Sequence, residues 1–473
     1  MTENFFIPEK LTVNGGRPAQ GHIKISGAKN SILGLMAASL LTDEPVILNN
    51  VPYITDVLEM GQIMQDIGVD VSFNPRERRL RLHAAKIGKN VISHQAANFR
   101  ASYYLWGSLL ARFKRTGEYN NLQVCLPGGC SFGGKRPTDF HEELIKNVFG
   151  AHVAVESKDN DKYSYLSFTL PSAEPDDLCP VYTTAKPSHG ATFHWLLSVA
   201  GSNQLKMMYN ASLEPEVSNL INMLQNMGLG LMGNERTGLI YDGKNTGLLH
   251  GIEFSVIPDR LEAATYALLT LSTRGEVQLE GINFEHCSPW IGQLTRMFDK
   301  GIYFSPDLTK LNLDFRNRKK FDGFIMQMSP FPGFETDLQQ IWTPVLAQAQ
   351  TSSVISDMIW PGRYAHLAEL AKFGLEFDYH QFDVVSGQQA SAKNLYVNIH
   401  PSSLHSGEAK GTDLRGTMSV ILAAATAEGK SVVNEPSFAL RGYPDLLENM
   451  QKLGINITAS ANGREIPALP GIK

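Results

Sequence analysis

Gly27-Ala28-Lys29-Asn30-Ser31-Ile32-Leu33-Gly34-Leu35-Met36-Ala37-Ala38-Ser39-Leu40-Leu41 reads as a helix with a polar, cationic start and a body that is hydrophobic almost all round. A surface helix carries one apolar stripe, whereas a helix apolar on every side belongs in an interior. Met418-Ser-Val-Ile-Leu-Ala-Ala-Ala425 has the same character. Six such helices are expected, with starts at Gly27-Ala-Lys-Asn30, Asn98-Phe-Arg100, Pro187-Ser-His-Gly190, Pro258-Asp-Arg260, Glu335-Thr-Asp337 and Thr412-Asp-Leu-Arg415. The N-terminus of a buried helix offers free amides and the positive end of its dipole, which suits anions. Capping by Ser188, Asp259 or Thr412 accounts for any one start taken alone. Lys or Arg in the first turn of four starts is unfavourable beside that dipole, so the pattern predicts bound anions that offset it.

Working outward, each buried helix is joined to a second pattern: a short β-type run, a turn, an amphipathic helix ending near a glycine, and another strand. The copies are Val46-Ile-Leu through Gly68, Leu122-Gln-Val through Gly150, Leu205-Lys-Met-Met through Gly228, Val277-Gln-Leu through Gly301, Val354-Ile through Gly374 and Val432-Val through Gly454. The glycines recur roughly every 75 to 80 residues, too long for a solenoid repeat but suited to a βα module used six times. Glycine after the last apolar helical residue is the expected left-handed stop. The fold class expected is α/β (α+β), six βα repeats with buried helices, three per domain. The domain break falls near Gly251 to Pro258. Residues 27-256 form one domain; residues 257-473 form the other with residues 1-26, whose strands at Leu11-Thr-Val-Asn14 and Ile23 to Ile25 are free to pass into it. Charge runs at Glu156 to Tyr165 and Arg316 to Lys320 read as solvated loops.

At 473 residues, two domains are the default, and 43% hydrophobic with 19% charged residues describes a soluble globular chain. A net charge of −5 without a long basic run excludes a nucleic-acid partner. No apolar run reaches the roughly 20 residues that span a bilayer, and the start has no signal-peptide pattern, so no membrane partner and a cytoplasmic location are expected. Cys125, Cys130, Cys179 and Cys287 show no metal spacing or disulfide framework. Cys125, inside Leu122-Gln-Val-Cys-Leu126, reads as a buried strand residue.

Cys130 differs. It lies in Leu126-Pro-Gly-Gly-Cys-Ser-Phe-Gly-Gly-Lys-Arg-Pro-Thr-Asp-Phe-His141, among four glycines and beside Lys135 and Arg136. Neighbouring cations lower a thiol pKa and hold anions. A glycine-rich turn with an incidental cysteine is the alternative reading of the same stretch.

These motifs together resemble the enolpyruvyl transferases, and within them the branch using UDP-N-acetylglucosamine more than the shikimate-pathway branch. The carriers are Ser26-Gly-Ala-Lys-Asn30, Leu126-Pro-Gly-Gly-Cys130, Arg136-Pro137 with Asp139 and His141, Pro258-Asp-Arg260, Thr336-Asp337, Thr412-Asp-Leu-Arg415 and Arg441-Gly-Tyr443, spread from Leu11 to Gly454. The resemblance implies a two-domain inverse α/β barrel that closes on substrate, and transfer of enolpyruvyl from phosphoenolpyruvate to the 3-hydroxyl of UDP-N-acetylglucosamine with release of phosphate. That is the first committed step of peptidoglycan precursor synthesis, and in the family it is the target of the epoxide fosfomycin. No metal or other cofactor is implied.

By the same resemblance, Cys130 protonates the methylene carbon and Asp337 is the base for the acceptor hydroxyl, with Lys29 and Arg441 also catalytic. Lys29, Arg100, Arg136, Arg441, Asp413 and Arg415 correspond to the phosphoenolpyruvate-binding set. Asn30, Arg136, Pro137, Asp139, Phe140, His141, Lys186, Ser188, His189, Gly190, Thr336, Asp337 and Ile359 correspond to contacts with the nucleotide sugar. Phe140 and Ile359 read equally as core, His141 as a first-turn residue and Arg100 as an ion-pair partner. The chain departs from the family pattern by one extra residue between Cys130 and Arg136, by Phe438-Ala-Leu440 where His and Asp are usual, by Tyr104 for a common Trp, and by Trp360-Pro-Gly-Arg363. Two alternatives follow: a diverged transferase using another uridine nucleotide such as UMP, or a catalytically idle UDP-sugar-binding paralogue. Whether Lys135 or Arg136 takes the anion is open.

Overall fold

The computed structural model describes residues 7–126, 139–157, 164–383, 393–461 and 464–466. Its contacts divide the chain into two units between Ile257 and Pro258; the N-terminal strands belong with the second unit. Each unit has its own hydrophobic core.

The six cationic or polar starts each lead into a buried helix. In the first unit these are Lys29–Ala38, Tyr103–Thr116 and His189–Val199; in the second they are Arg260–Ser272, Thr336–Leu346 and Leu414–Thr426. All 13 residues of Arg260–Ser272 are buried, as an all-round apolar helix requires. Close packing sets the choice of small residues: a Cβ at Gly34 would lie 2.3 Å from the Phe193 ring, so the Lys29 and His189 helices meet there backbone to ring.

The second pattern is also present six times. Thr55–Asp66 follows the strand Val46–Asn49 and precedes Asp70–Asn74; Leu446–Lys452 stands likewise between Gly429–Asn434 and Asn456–Ala461. Gly68, Gly150, Gly228, Gly301, Gly374 and Gly454 all have positive φ, between 64° and 102°. The left-handed stop is therefore used in every copy.

Each copy builds a separate sheet with one strand order, and the sheets are larger than two strands. Val46–Asn49 pairs in parallel with Ile252–Ser255 and antiparallel with Arg79–His83, which pairs in turn with Asp70–Asn74. Four other sheets repeat this arrangement, and the last repeats it with a fifth strand, Arg464–Ile466, added beside Asn456–Ala461. Return strands such as Arg79-Leu-Arg-Leu-His83 alternate polar and apolar residues over five positions, a local strand signal that the repeat pattern passed over. The second unit borrows from the N-terminus. Lys10–Gly15 sits between Gly429–Asn434 and Asn456–Ala461, and Gln20–Lys24 pairs in parallel with Glu276–Glu280. Helices inside and sheets outside make each unit an inverse α/β barrel.

Two expectations are corrected. The Arg316 to Lys320 run is not wholly solvated: Arg318 Nε donates to the Leu271 carbonyl at 3.1 Å, and burial pulls its pKa down to about 10. The cap of the Leu414 helix is Asp413 rather than Thr412, accepting from the amides of Arg415 and Gly416 at 3.2 and 3.3 Å.

Candidate active site

In the first unit Lys29 is the first residue of its helix, and its Nζ lies 2.9 Å from Asp56 Oδ2, a carboxylate only 2% exposed. Asn30 follows, half-buried. Arg100 closes the loop before the Tyr103 helix, its guanidinium 5.7 Å from the Tyr103 ring centre. Tyr103 stacks on His141 with centroids 3.9 Å apart, and His141 Nδ1 meets His194 Nδ1 at 2.9 Å. Burial holds both imidazoles neutral. It lowers His141 well below its ordinary pKa, with His194 and Arg100 adding to the effect, and takes His194 down to about 3.

Beside this stack, Tyr104 Oη lies 3.3 Å from His189 Nδ1, and burial raises the phenol far above its usual range. Gly190 is required by the packing, since a Cβ there would come within 2.8 Å of Tyr103 Oη. Ser188 Oγ caps the His189 helix by accepting from the Ala191 amide at 3.3 Å. His141, His189, Gly190 and Arg100 are thus gathered around Tyr103 and Tyr104. Lys186 and Asp139 are exposed. Phe140 is 49% exposed, which excludes the core reading for it, and its carbonyl accepts from Tyr182 Oη at 3.3 Å. Cys130, Lys135, Arg136 and Pro137 lie outside the described residues.

In the second unit the starts of the Thr336 and Leu414 helices carry one ionic network. Asp337 Oδ1 accepts from Arg363 Nη1 at 2.5 Å, and Asp337 Oδ2 lies 3.8 Å from Arg415 Nε. Arg363 also reaches Thr336 Oγ1 at 3.3 Å and Asp413 at 3.7 Å. Burial opposes the Arg363 charge, but Asp337 and Asp413 outweigh it and hold its pKa above the usual value. Gln340 Nε2 donates to Asp413 Oδ2 at 2.8 Å, and Arg415 lies 5.0 Å from the Tyr443 ring centre. Thr336 Oγ1 donates to Asp357 Oδ2 at 2.5 Å. Burial raises the Asp357 pKa, against the hydrogen bonds from Thr336 and the local amides. Ile359 donates its amide to Asp357 Oδ1 at 2.9 Å, and its side chain packs against this unit's core. Arg441 ends the turn Pro436–Arg441, two residues before Tyr443.

The cations at helix starts therefore have carboxylates of the protein beside them: Lys29 has Asp56, Arg260 has Glu335, and Arg415 has Asp337. These carboxylates offset part of the dipole repulsion that had been ascribed to bound anions alone. Sequence reasoning missed Arg363, Asp357, Tyr103, His194 and Asp56 as site members. Arg363 stood in a recognised motif, but nothing local indicated that it would bridge Asp337 and Asp413. Among the described residues, no group of three or more His, Cys, Asp or Glu could hold a metal ion.

Residues 13–450 match the family model described as EPSP synthase (3-phosphoshikimate 1-carboxyvinyltransferase). A UDP-N-acetylglucosamine 1-carboxyvinyltransferase from Thermotoga maritima is 32% identical over 457 residues, covering 95% of this chain and 98% of the relative. One from Streptococcus pneumoniae serotype 2 is 33% identical over 456 residues, with the same shares covered. Among solved structures, the enolpyruvyl transferase NikO from Streptomyces tendae superposes with a TM-score of 0.78 at 20% identity, covering 98% of this chain and 100% of that one. An EPSP synthase from Acinetobacter baumannii gives 0.64 at 14%, covering 96% and 100%. The last two likenesses concern the fold.

Proposed function

The chain belongs to the EPSP synthase family of enolpyruvyl (carboxyvinyl) transferases, and from that premise we propose that it moves the enolpyruvyl group of phosphoenolpyruvate to the 3-hydroxyl of UDP-N-acetylglucosamine. Phosphate is released, and the product opens peptidoglycan precursor synthesis. The observation that carries the reading is Asp337, 29% exposed at the start of a buried helix, with one oxygen on Arg363 and the other near Arg415. A carboxylate fixed in this way is oriented before substrate arrives, as a proton acceptor needs.

In this reading the acceptor oxygen attacks C2 of phosphoenolpyruvate as Asp337 takes its proton and Cys130 gives one to C3. Loss of a C3 proton then expels phosphate and restores the double bond. Lys29, Arg100, Arg136, Arg415 and Arg441 hold the phosphate and carboxylate, and Asp413 orients Arg363. His141, His189, Gly190, Ser188, Lys186, Asp139, Phe140, Pro137, Asn30, Thr336 and Ile359 are assigned to the nucleotide sugar. A second reading, transfer to another uridine nucleotide such as UMP, is favoured by Trp360-Pro-Gly-Arg363 and Phe438-Ala-Leu440.

Phosphate release from phosphoenolpyruvate, screened against UDP-N-acetylglucosamine, UMP, other uridine nucleotides and shikimate 3-phosphate, separates these readings. Release that depends on UDP-N-acetylglucosamine, is lost in Cys130→Ala and is blocked by fosfomycin adding to Cys130 is the expected result. Turnover with UMP alone overturns the first reading, and turnover with none overturns both.

A further inference from the structure

We propose that His194 is a positioning residue: its Nδ1–H donates to His141 Nδ1 and fixes His141 as the Nε2–H tautomer, which offers a donor to an acceptor oxygen of a nucleoside diphosphate. The inference rests on the reading above in placing His141 at the nucleotide.

The two Nδ1 atoms are 2.9 Å apart, and both rings are neutral, so one nitrogen carries the proton and the other accepts it. Which ring donates is decided at the far side of His194. His194 is 0% exposed, and its Nε2 has no hydrogen-bond partner among the described residues. If His141 donated, His194 would carry its proton on Nε2, leaving an N–H buried without an acceptor, a defect folded proteins rarely tolerate. If His194 donates, only a lone pair is left unpartnered there, the lesser penalty. The pair then resolves in one direction: His194 protonated on Nδ1, His141 on Nε2.

The surroundings fix the ring as well as the proton. Tyr103 stacks on one face of His141, and Gly190 admits Tyr103 Oη so closely that a Cβ would reach it at 2.8 Å and His141 Cε1 at 3.5 Å. A Cβ at Gly107 would lie 2.6 Å from His194 Cδ2, so His194 is wedged against the Tyr103 helix. His141 Nε2 has no hydrogen-bond partner among the described residues and is not one of the buried unsatisfied atoms. It is the ring's remaining polar atom, and it is a donor. His194 sits on a buried helix, where a core histidine with no further task would be the simpler reading; the shared proton is what gives it one.

The test has two independent parts. In the intact enzyme with histidine labelled by nitrogen-15 and no substrate, the ring resonances of His141, identified by their loss in His141→Gln, are expected to show protonated Nε2 and unprotonated Nδ1. Protonation on Nδ1 overturns the proposal. In kinetics, His194→Phe keeps a flat aromatic ring, one ring atom larger, but removes the donor and is expected to raise KM for the nucleotide acceptor roughly tenfold, the loss of about one neutral hydrogen bond. KM for phosphoenolpyruvate and kcat should stay within about twofold. His194→Asn, whose amide replaces Nδ1–H, is expected to restore most of the acceptor affinity. An unchanged acceptor KM, or equal rises for both substrates, overturns the recognition role. Failure of the nucleotide reading appears elsewhere, as an unaltered enzyme that turns over no uridine nucleotide, and the tautomer result stands apart from it.

Discussion

Arg363 is the residue on which the second unit's polar network depends. It binds Asp337 at 2.5 Å and reaches Asp413 at 3.7 Å while being only 5% exposed. Removing one member of a buried ionic group leaves the others without compensation, which costs roughly 3–5 kcal/mol. Arg363→Met is therefore expected to lower the urea midpoint markedly and to abolish turnover. Asp337→Asn keeps the shape but takes the charge away from Arg363 and Arg415, so the midpoint is expected to fall as well, while kcat of the enzyme that remains folded drops by about 10²–10⁴, the range for losing a general base. An Asn variant with near-normal kcat would remove Asp337 from the proton-transfer role. The buried histidines set a pH dependence. His194 and His366 are both depressed by burial to about 3, and His141 is depressed as well. The unfolded chain binds protons on these residues near pH 6.5 and the folded chain does not, so stability present above that value is lost as pH falls toward 3. The slope approaches about 1.4 kcal/mol per pH unit for each fully buried ring. Urea midpoints measured at pH 7, 6 and 5 should fall steadily; a flat or rising series would contradict the assignment.

Single residues also shape the repeated element. The residue following the first strand of a copy is left-handed at Asn50, Asn210, Gly281 and Glu435, with φ between 51° and 70°. Asn and Gly enter this region readily, and a longer side chain does so at a cost. Glu435→Asn is expected to stabilise the protein by roughly 0.5 kcal/mol, visible as a small rise in the midpoint of thermal unfolding, and a fall would show that Glu435 has a task beyond its turn. The opposite sign is expected for Gly34→Ala, because the added methyl would stand 2.3 Å from a Phe193 ring that is itself fully buried. Overpacking of this kind costs roughly 1–3 kcal/mol.

At the scale of the whole chain, local patterning assigned the N-terminal segment to its unit but not to its strand partners. Lys10–Gly15 is an inner strand of the last sheet, and Gln20–Lys24 is the parallel edge partner of Glu276–Glu280. The first unit closes on its own residues from Gly27 to Ile257, since Ile252–Ser255 completes its first sheet. Residues 27–257 expressed alone are expected to unfold cooperatively in urea. Residues 258–473 are expected to aggregate unless residues 1–26 are joined to them, because strands 429–434 and 456–461 lose the partner between them. Cooperative unfolding of 258–473 alone would show that the borrowed strands are dispensable.

The six copies, the buried helices and the glycine stops were legible because each is local: all-round apolarity marks an interior helix, and a left-handed angle after a helix selects glycine whatever surrounds it. The motifs also carried the family, since Lys29, Asp337, Asp413 and Arg415 stand at helix starts that the chain spells out in order. Contacts across long separations were not legible. Arg363 meets Asp337 across 26 residues and His141 meets His194 across 53, and Lys10 faces Asn434 from the far end of the chain. Neither periodicity nor turn chemistry specifies such a partner. It is set by which surfaces remain to be buried once every copy has formed, and that is a property of the packed chain.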